Sequence, residues 1–141
     1  MDKIRHTFRK EERLSSRKEI ALLFENGQSV MAYPLKFFWK ESDPGSPCPV
    51  RMAFTVSSRT FKKAVDRNLL KRRMREAYRL NKHKTETGSG DKKINIMVIY
   101  IAREIVPYAP IEKAVRSGMK KIAARLTENH ETNQQTIRNN R

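Results

Sequence analysis

The chain has 141 residues, of which 31 are Lys or Arg and 15 are Asp or Glu, so its formal net charge is +16. Because so much like charge works against compaction, we expect a polyanionic partner. The only cysteine is Cys48, which excludes an internal disulfide and a zinc site built on cysteines. Apolar runs stay below the 18 residues of a membrane helix and the N-terminus lacks a signal-like stretch, so we expect a cytoplasmic protein.

A basic arm of 14 residues precedes the first predicted helix. Ser16 and Glu19 have the spacing of a capping box, in which each side chain satisfies a backbone N–H at the start of a helix. The helix should end at Asn26-Gly27, because glycine is the commonest residue just past a helix.

Two strands are predicted next. Apolar and polar residues alternate from Val30 to Lys40, so that Phe37 and Trp39 fall on one side and Phe38 on the other. A similar alternation runs from Val50 to Ser57. Because a loop rich in proline and glycine joins the two segments, we expect them to pair antiparallel.

The most informative segment is a basic helix. Residues 59 to 84 contain eleven basic groups and two acids, so 9 of the 16 net charges lie there. At 100° per residue, one stripe of roughly 140° takes most of the cations, whereas Leu69, Leu70, Met74, Ala77 and Leu80 fall opposite. The alternative, a solvated face of an ordinary helix, would usually mix both signs of charge. We therefore interpret the stripe as a polyanion site.

The rest of the chain completes one predicted domain over residues 1–126, with an α/β (α+β) fold. Residues 94 to 101 are apolar at nearly every position, which indicates a central strand covered on both faces. The apolar residues from Ile111 to Leu126 recur at helical spacing. Residues 127–141 are polar and are expected to form a disordered tail.

The sequence lacks the motifs of a catalyst. We find no Gly-rich phosphate loop, no paired-histidine motif and no nucleophile with a base at a recognisable spacing. His6, His83 and His130 are too far apart in sequence to suggest a metal site, and we expect them at the surface. Asp66 and Glu76 lie within the basic stretch, where helix stabilisation and an intrahelical pair explain them. The sequence does not exclude an active site whose side chains come together only in the fold.

A second feature suits unpaired RNA. Phe38 lies between Lys36 and Lys40 on one side of its strand. An aromatic ring can stack on an unpaired base, which contributes about 1 to 3 kcal/mol per base, while lysines hold the backbone. The alternative is that Phe38 fills an apolar patch under the first helix.

The segment Phe61–Arg79 resembles the bacterial ribonuclease P protein component, and the likeness extends from about Arg13 to Leu126. Its specific part is the series Ala64-Val65, Arg67-Asn68, Lys71-Arg72 and Arg75-Glu76 in one register, preceded by a strand that ends Thr55-Val56-Ser57-Ser58-Arg59.

This resemblance implies a small sandwich with a mixed sheet and a left-handed strand–helix–strand crossover, against the usual right-handed rule. It implies a protein that binds no cofactor of its own and assists a catalytic RNA. That RNA removes the 5′ leader from precursor tRNA by hydrolysis that depends on Mg²⁺, and the RNA holds most of the metal. The implied partners are the catalytic RNA and precursor tRNA, with neither DNA nor a membrane.

The resemblance also implies the binding residues by position. In the family, the basic helix and the loop before it contact the RNA subunit, and a cleft between the first helix and the sheet guides the leader. The implied RNA-binding residues are Arg59, Lys62, Lys63, Arg67, Asn68, Lys71, Arg72, Arg75 and Arg79. The implied cleft residues are Ile20, Phe24, Lys36 and Phe38.

Three positions depart from the family's usual pattern. Leu69 stands where a third basic-motif arginine is common, so one phosphate contact is missing or is supplied by Arg73. Ser58 replaces a common lysine. Ile20 stands where the first helix often has an aromatic residue, which halves the stacking expected from that helix.

Two other functions fit part of the sequence. A ribosomal or general RNA-binding protein would use the same basic helix but would not prefer tRNA that carries a leader. A DNA-binding protein could place the helix in the major groove, but a basic zipper needs heptads after it, and the polar stretch from Thr85 breaks the helix there.

Overall fold

The strands of this chain form a mixed sheet that has helices on both faces. The computed structural model describes residues 10–41, 50–85 and 93–139, with side chains except at Glu11, 82–85 and 127–139. In chain order the elements are a short 3₁₀ turn at Lys10–Glu12, α1 at Arg17–Asn26, β1 at Gln28–Ala32, β2 at Leu35–Glu41, β3 at Val50–Val56, α2 at Ala64–Thr85, β4 at Ile94–Tyr100 and α3 at Tyr108–Asn139. The first nine residues of the basic arm, the predicted loop at 42–49 and most of the predicted polar linker, at 86–92, lie outside the described residues.

The predicted ends of α1 are confirmed, but only the Ser16 half of the capping box forms, because Glu19 Oε2 accepts from Arg51 instead. Ser16 Oγ accepts a hydrogen bond from the Glu19 backbone N–H at 3.3 Å, and the N–H of Gly27 donates to the Leu23 carbonyl at 2.9 Å. A Cβ at Gly27 would lie 2.3 Å from that carbonyl oxygen, so the chain can leave the helix along this path only with glycine.

The predicted antiparallel pairing of the Val30–Lys40 and Val50–Ser57 segments is wrong. The first segment is two strands, β1 and β2, which form an antiparallel hairpin across the turn at Tyr33-Pro34. The sheet order is β1-β2-β4-β3, so β4 lies between β2 and β3. It pairs antiparallel with β2 and parallel with β3. An apolar strand that is covered on both faces also needs a neighbour on each edge to satisfy its backbone, and this requirement displaces β3 from β2.

The sheet separates two apolar clusters. Leu35, Phe37 and Trp39 of β2 point to the main core, which α2 and α3 cover. On the opposite face, a smaller cluster is built around Leu23 of α1 and Met97 of β4, with Leu14. The central position of β4 is confirmed, since Ile94 to Val98 and Tyr100 are all buried.

The two long helices lie side by side on the main core. α2 connects β3 to its parallel neighbour β4, as the family resemblance implies; the left hand of this crossover stays a prediction. α3 is helical to Asn139, although we expected irregular chain after Leu126. That stretch contains neither proline nor glycine to stop a helix, and its order in solution stays a prediction. In the part of the chain that the structure describes, no helix has the length and apolar character needed to cross a membrane.

Candidate nucleic-acid interface

The basic face of α2 is exposed to solvent because the opposite side of the helix packs into the core. Leu70, Met74, Ala77 and Tyr78 are buried, at one face of the helix. Asn68, Arg72 and Arg75 are exposed on the opposite side. The helix wheel placed Leu80 on the buried side of α2, and that assignment is wrong. Leu80 is 39% exposed, because the buried positions at this end of the helix are Tyr78 and Asn81.

Several of these side chains surround one depression in the surface. It has a volume of about 370 Å³, and its lining consists of Arg13, Asn68, Arg72, Arg75, Glu76 and Arg79. Sequence reasoning missed Arg13, which precedes α1. The segment runs beside β3, where the N–H of Leu14 donates to the Met52 carbonyl at 2.8 Å, and so brings Arg13 next to α2. No local signal in the sequence predicts this long-range pairing.

Arg79 lines the depression and forms an ion pair with Glu76. Its Nε donates to Glu76 Oε2 at 3.1 Å, and a second N–H donates to Oε1. The hydrogen bond from Arg79 lowers the pKa of Glu76, and the same bond raises the pKa of Arg79. A phosphate at this point must therefore share the Arg79 guanidinium with a carboxylate, whereas no carboxylate of the described residues pairs with Arg72 or Arg75.

Arg67 holds the loop before α2. Its Nη1 donates to the carbonyls of Phe61 and Lys62, at 2.8 and 2.9 Å. Because Phe61 is also buried, the loop is fastened at this point and its other side chains face outward. Arg59, Lys62 and Lys63 are exposed, and Lys71 is half-buried. Arg67 therefore supports the predicted RNA-binding surface through these hydrogen bonds, and its half-buried side chain is only partly exposed on that surface.

Arg73, the candidate for the phosphate contact missing at Leu69, is bonded within the fold. Arg73 Nη1 donates to the Val106 carbonyl at 2.7 Å, in the segment that precedes α3. This bond directs the guanidinium to the α3 side of the helix, away from Arg72 and Arg75. Leu69 itself is half-buried.

The four predicted cleft residues come together on the other face of the sheet. The rings of Phe24 and Phe38 are 5.1 Å apart at an angle of 52°, and Lys36 Nζ lies 5.2 Å from the centre of the Phe38 ring. Ile20 packs beside Phe38 in the cluster under α1. The facing of Phe38 away from Phe37 is confirmed.

The packing interpretation of Phe38 holds in part, and base stacking stays a prediction. Phe38 is half-buried, so one side packs beneath α1 and the other side borders the cleft. Phe24 is 50% exposed and offers more ring surface to a ligand than Phe38 does. At the other end of α1 a depression of about 380 Å³ has Ser16, Leu22, Lys40 and Asn95 among its lining residues.

The described part of the chain contains no group of three His, Cys, Asp or Glu side chains that could hold a metal ion. Two acids near the interface, Glu19 and Glu76, are paired with cations. Glu19 Oε2 accepts from Arg51 at 3.4 Å, and Glu76 accepts from Arg79. The carboxylates of Glu19 and Glu76 are therefore engaged within the protein.

Comparison with known proteins gives one consistent family. The family model described as Ribonuclease P matches residues 8–123. The chain is 31% identical over 119 residues to the ribonuclease P protein component of Porphyromonas gingivalis, which covers 83% of this chain and 87% of the relative. It is 42% identical over 106 residues to that of Chlorobium phaeobacteroides, covering 68% and 73%.

Solved structures agree. The RNase P protein from Thermotoga maritima is 25% identical, with a TM-score of 0.62, and the match covers 78% of this chain and 96% of that one. The Staphylococcus aureus RNase P protein, at 19% identity, shares the fold with a TM-score of 0.63 over 79% of this chain and 94% of that one.

Proposed function

The chain belongs to the ribonuclease P protein family, and from this membership we propose how its two surfaces divide the work of the enzyme. The family provides the RNA-binding protein subunit of an endoribonuclease that removes the 5′ leader from precursor tRNA. In this chain, α2 and the loop before it bind the RNA subunit. The cleft between α1 and the sheet binds the single-stranded leader of the precursor.

The observation that carries the first assignment is the exposed Asn68, Arg72 and Arg75 face. The buried side of α2 fixes the direction of these side chains, and a guanidinium donates two parallel N–H groups to a phosphate. Little conformational entropy is then lost when RNA binds, because the helix is already positioned. The same face carries the depression that Arg13 and Arg79 border.

The cleft assignment rests on the arrangement of Phe24, Phe38 and Lys36. A base that stacks on the exposed side of Phe24 places its backbone near the lysine, which is the combination that sequence-tolerant binding of unpaired strands requires. Lys40 and the depression beside it continue the path for further nucleotides.

The chemistry belongs to the RNA subunit and its Mg²⁺ ions. The protein contributes position and charge: fixed Lys and Arg side chains replace part of the counterions that RNA otherwise needs to hold its substrate. We place this activity in the cytoplasm, with precursor tRNA as substrate.

The test is a cleavage assay with a bacterial ribonuclease P RNA alone, the protein alone and both together, over a series of Mg²⁺ concentrations. We expect the protein to be required at low Mg²⁺, its benefit to shrink as Mg²⁺ rises, and no cleavage by the protein alone. Specific 5′ processing by RNA-free protein that Asp66→Asn abolishes would instead identify a protein nuclease.

The second candidate, a general RNA-binding protein, is favoured by the same basic face. It is separated from the first by binding to precursor and mature tRNA. The proposed function requires tighter binding when a leader is present, because only the leader enters the cleft. Equal binding to both forms, with no effect on cleavage, would favour the general RNA-binding protein.

A further inference from the structure

The outer face of α3 is a second cationic surface. Between Tyr108 and Leu126 the helix has five basic residues and a single acid, Glu112. The basic residues are Lys113, Arg116, Lys120, Lys121 and Arg125, and all five are exposed. None of them belongs to the surfaces that the proposed function assigns.

These cations are poorly compensated within the fold. Glu112 is fully engaged: its Oε1 accepts from Arg116 at 2.8 Å and its Oε2 accepts from the Tyr108 hydroxyl at 2.8 Å. Lys121 Nζ donates to the backbone carbonyl of Met31 at 2.7 Å, and no carboxylate of the described residues pairs with it.

Among the described residues, Lys113, Lys120 and Arg125 have no acidic partner. Two like-charged pairs at a spacing of four residues, Arg116 with Lys120 and Lys121 with Arg125, repel each other along the helix. A surface helix of mixed charge would avoid such pairs, and a bound polyanion relieves the repulsion.

The outer face of α3 lies beside α2, because the two helices pack against each other. Arg116 Nε donates to Asn81 Oδ1 at 3.1 Å, and Asn81 Nδ2 donates to the Ala77 carbonyl at 2.7 Å, so the guanidinium bridges the two helices. Both helices cover the same face of the sheet. Asn81 is buried, so its bond with Arg116 joins α3 to the packed side of α2, and Arg79 at the edge of the basic face lies near Tyr108 of α3.

We propose that the outer face of α3 binds the phosphate backbone of a second segment of the ribonuclease P RNA, beside the segment that α2 binds. The inference rests on the proposed function, because that function supplies the RNA. Lys113 and Lys120 are seven residues apart, which is about 10 Å along a helix at a rise of 1.5 Å per residue, so an RNA strand can contact both at once.

The position of α3 selects the RNA subunit over the leader as its partner. The leader cleft lies between α1 and the opposite face of the sheet, and Phe24 and Phe38 belong to that cluster. A single strand in the cleft has to pass around the sheet edge to reach α3, whereas an RNA that covers α2 lies next to it.

The experiment measures binding of the protein to the RNA subunit across a salt series. The variant is Lys113→Gln/Lys120→Gln, and the matched control is Arg17→Gln/Lys18→Gln, which removes two exposed charges from α1. We expect the α3 variant to bind several-fold more weakly at low salt. Its salt slope should fall by about 0.7 to 0.9 for each phosphate that the variant no longer touches, and the control slope should stay unchanged.

A second measurement needs no substitution. Lysine acylation of the free protein and of its complex with the RNA subunit, read by mass spectrometry, should show Lys113 and Lys120 protected in the complex and Lys18 still reactive. An unchanged slope in the α3 variant, or full reactivity of both α3 lysines in the complex, overturns the inference.

The proposed function has its own readout in the same series. Arg72→Gln/Arg75→Gln should reduce the salt slope of RNA-subunit binding whether or not α3 contacts the RNA. If that variant binds less tightly while the α3 variant does not, only the α3 surface is rejected. If neither variant changes binding and the protein gives no gain in cleavage at low Mg²⁺, the proposed function itself fails.

Discussion

Gly118 of α3 lies directly against the ring of Phe37 on β2: a Cβ at position 118 would come within 2.1 Å of Phe37 Cε2. Phe37 is completely buried, so its ring has no open space to move into. The glycine thus sets the distance between α3 and the sheet, and with it the position of every cation on α3.

Gly118→Ala should destabilise the fold. Alanine favours a helix by about 1 kcal/mol over glycine, but overpacking a core costs about 1 to 3 kcal/mol, and the contact here is severe. Urea unfolding measures the net loss. The double variant Gly118→Ala/Phe37→Leu should recover part of the loss relative to the sum of the single changes, because leucine leaves room beside position 118. Strict additivity of the two changes would contradict this account.

Arg67→Gln and Arg72→Gln should distinguish a residue that supports the loop before α2 from a residue that binds RNA. Arg67 makes two hydrogen bonds to loop carbonyls, so its loss should cost on the order of 1 kcal/mol of unfolding free energy. Arg72 is exposed, and its substitution should change stability by less than about 0.5 kcal/mol while weakening RNA binding. Unfolding and RNA-subunit binding are measured on both variants. Equal stability of the two would show that the loop does not depend on Arg67.

Phe38→Ala should weaken precursor tRNA binding by roughly 1 to 3 kcal/mol and leave mature tRNA binding nearly unchanged, since only the leader stacks in the cleft. Phe37→Ala, in the main core, should instead destabilise the protein by about 3 to 5 kcal/mol. The measurements are binding to both tRNA forms and thermal unfolding. If Phe38→Ala weakens both forms equally, or mainly lowers the melting temperature, its role is packing under α1.

Stability should fall at high pH through Tyr108. Burial, with the hydrogen bond to Glu112 next, raises the pKa of Tyr108 from its ordinary 10 to about 12. Because the folded state favours the neutral phenol, this contribution is complete below pH 10 and is lost as the pH rises from 10 to 12. Unfolding of the protein and of Tyr108→Phe over that range, with the absorbance of tyrosinate, is the test. A variant that loses stability as steeply as the parent would refute the assignment.

The sequence predicted those parts of the fold that depend on neighbouring residues. The Ser16 cap and the glycine at position 27 determine the ends of α1 through backbone hydrogen bonds a few residues apart. The facing of Phe38 follows from strict alternation, and the burial of β4 follows from its apolar run. Each of these signals is local, and each prediction is confirmed.

The features that were missed depend on residues far apart in sequence. The sheet order requires β4 to insert between β2 and β3, which alternation within a strand cannot reveal. Arg67, Arg73 and Arg79 are the same residue type on one helix, yet one bonds to a loop, one to the segment before α3 and one to Glu76. A long side chain takes its direction from the acceptors around it, so composition predicted the charge of this surface and not its distribution. The RNA contacts themselves stay a prediction.

The placement of α1 on one face of the sheet and of α2 and α3 on the other has a kinetic consequence. In the proposed function the RNA subunit and the leader approach from opposite sides and share no side chain. Tight, long-lived binding at the arginine face then puts no limit on how fast a cleaved leader departs, because the two dissociation rates are set by different residues. Substitutions in the cleft should alter turnover without shortening the lifetime of the ribonucleoprotein, and the protein can remain assembled while successive substrates pass through it.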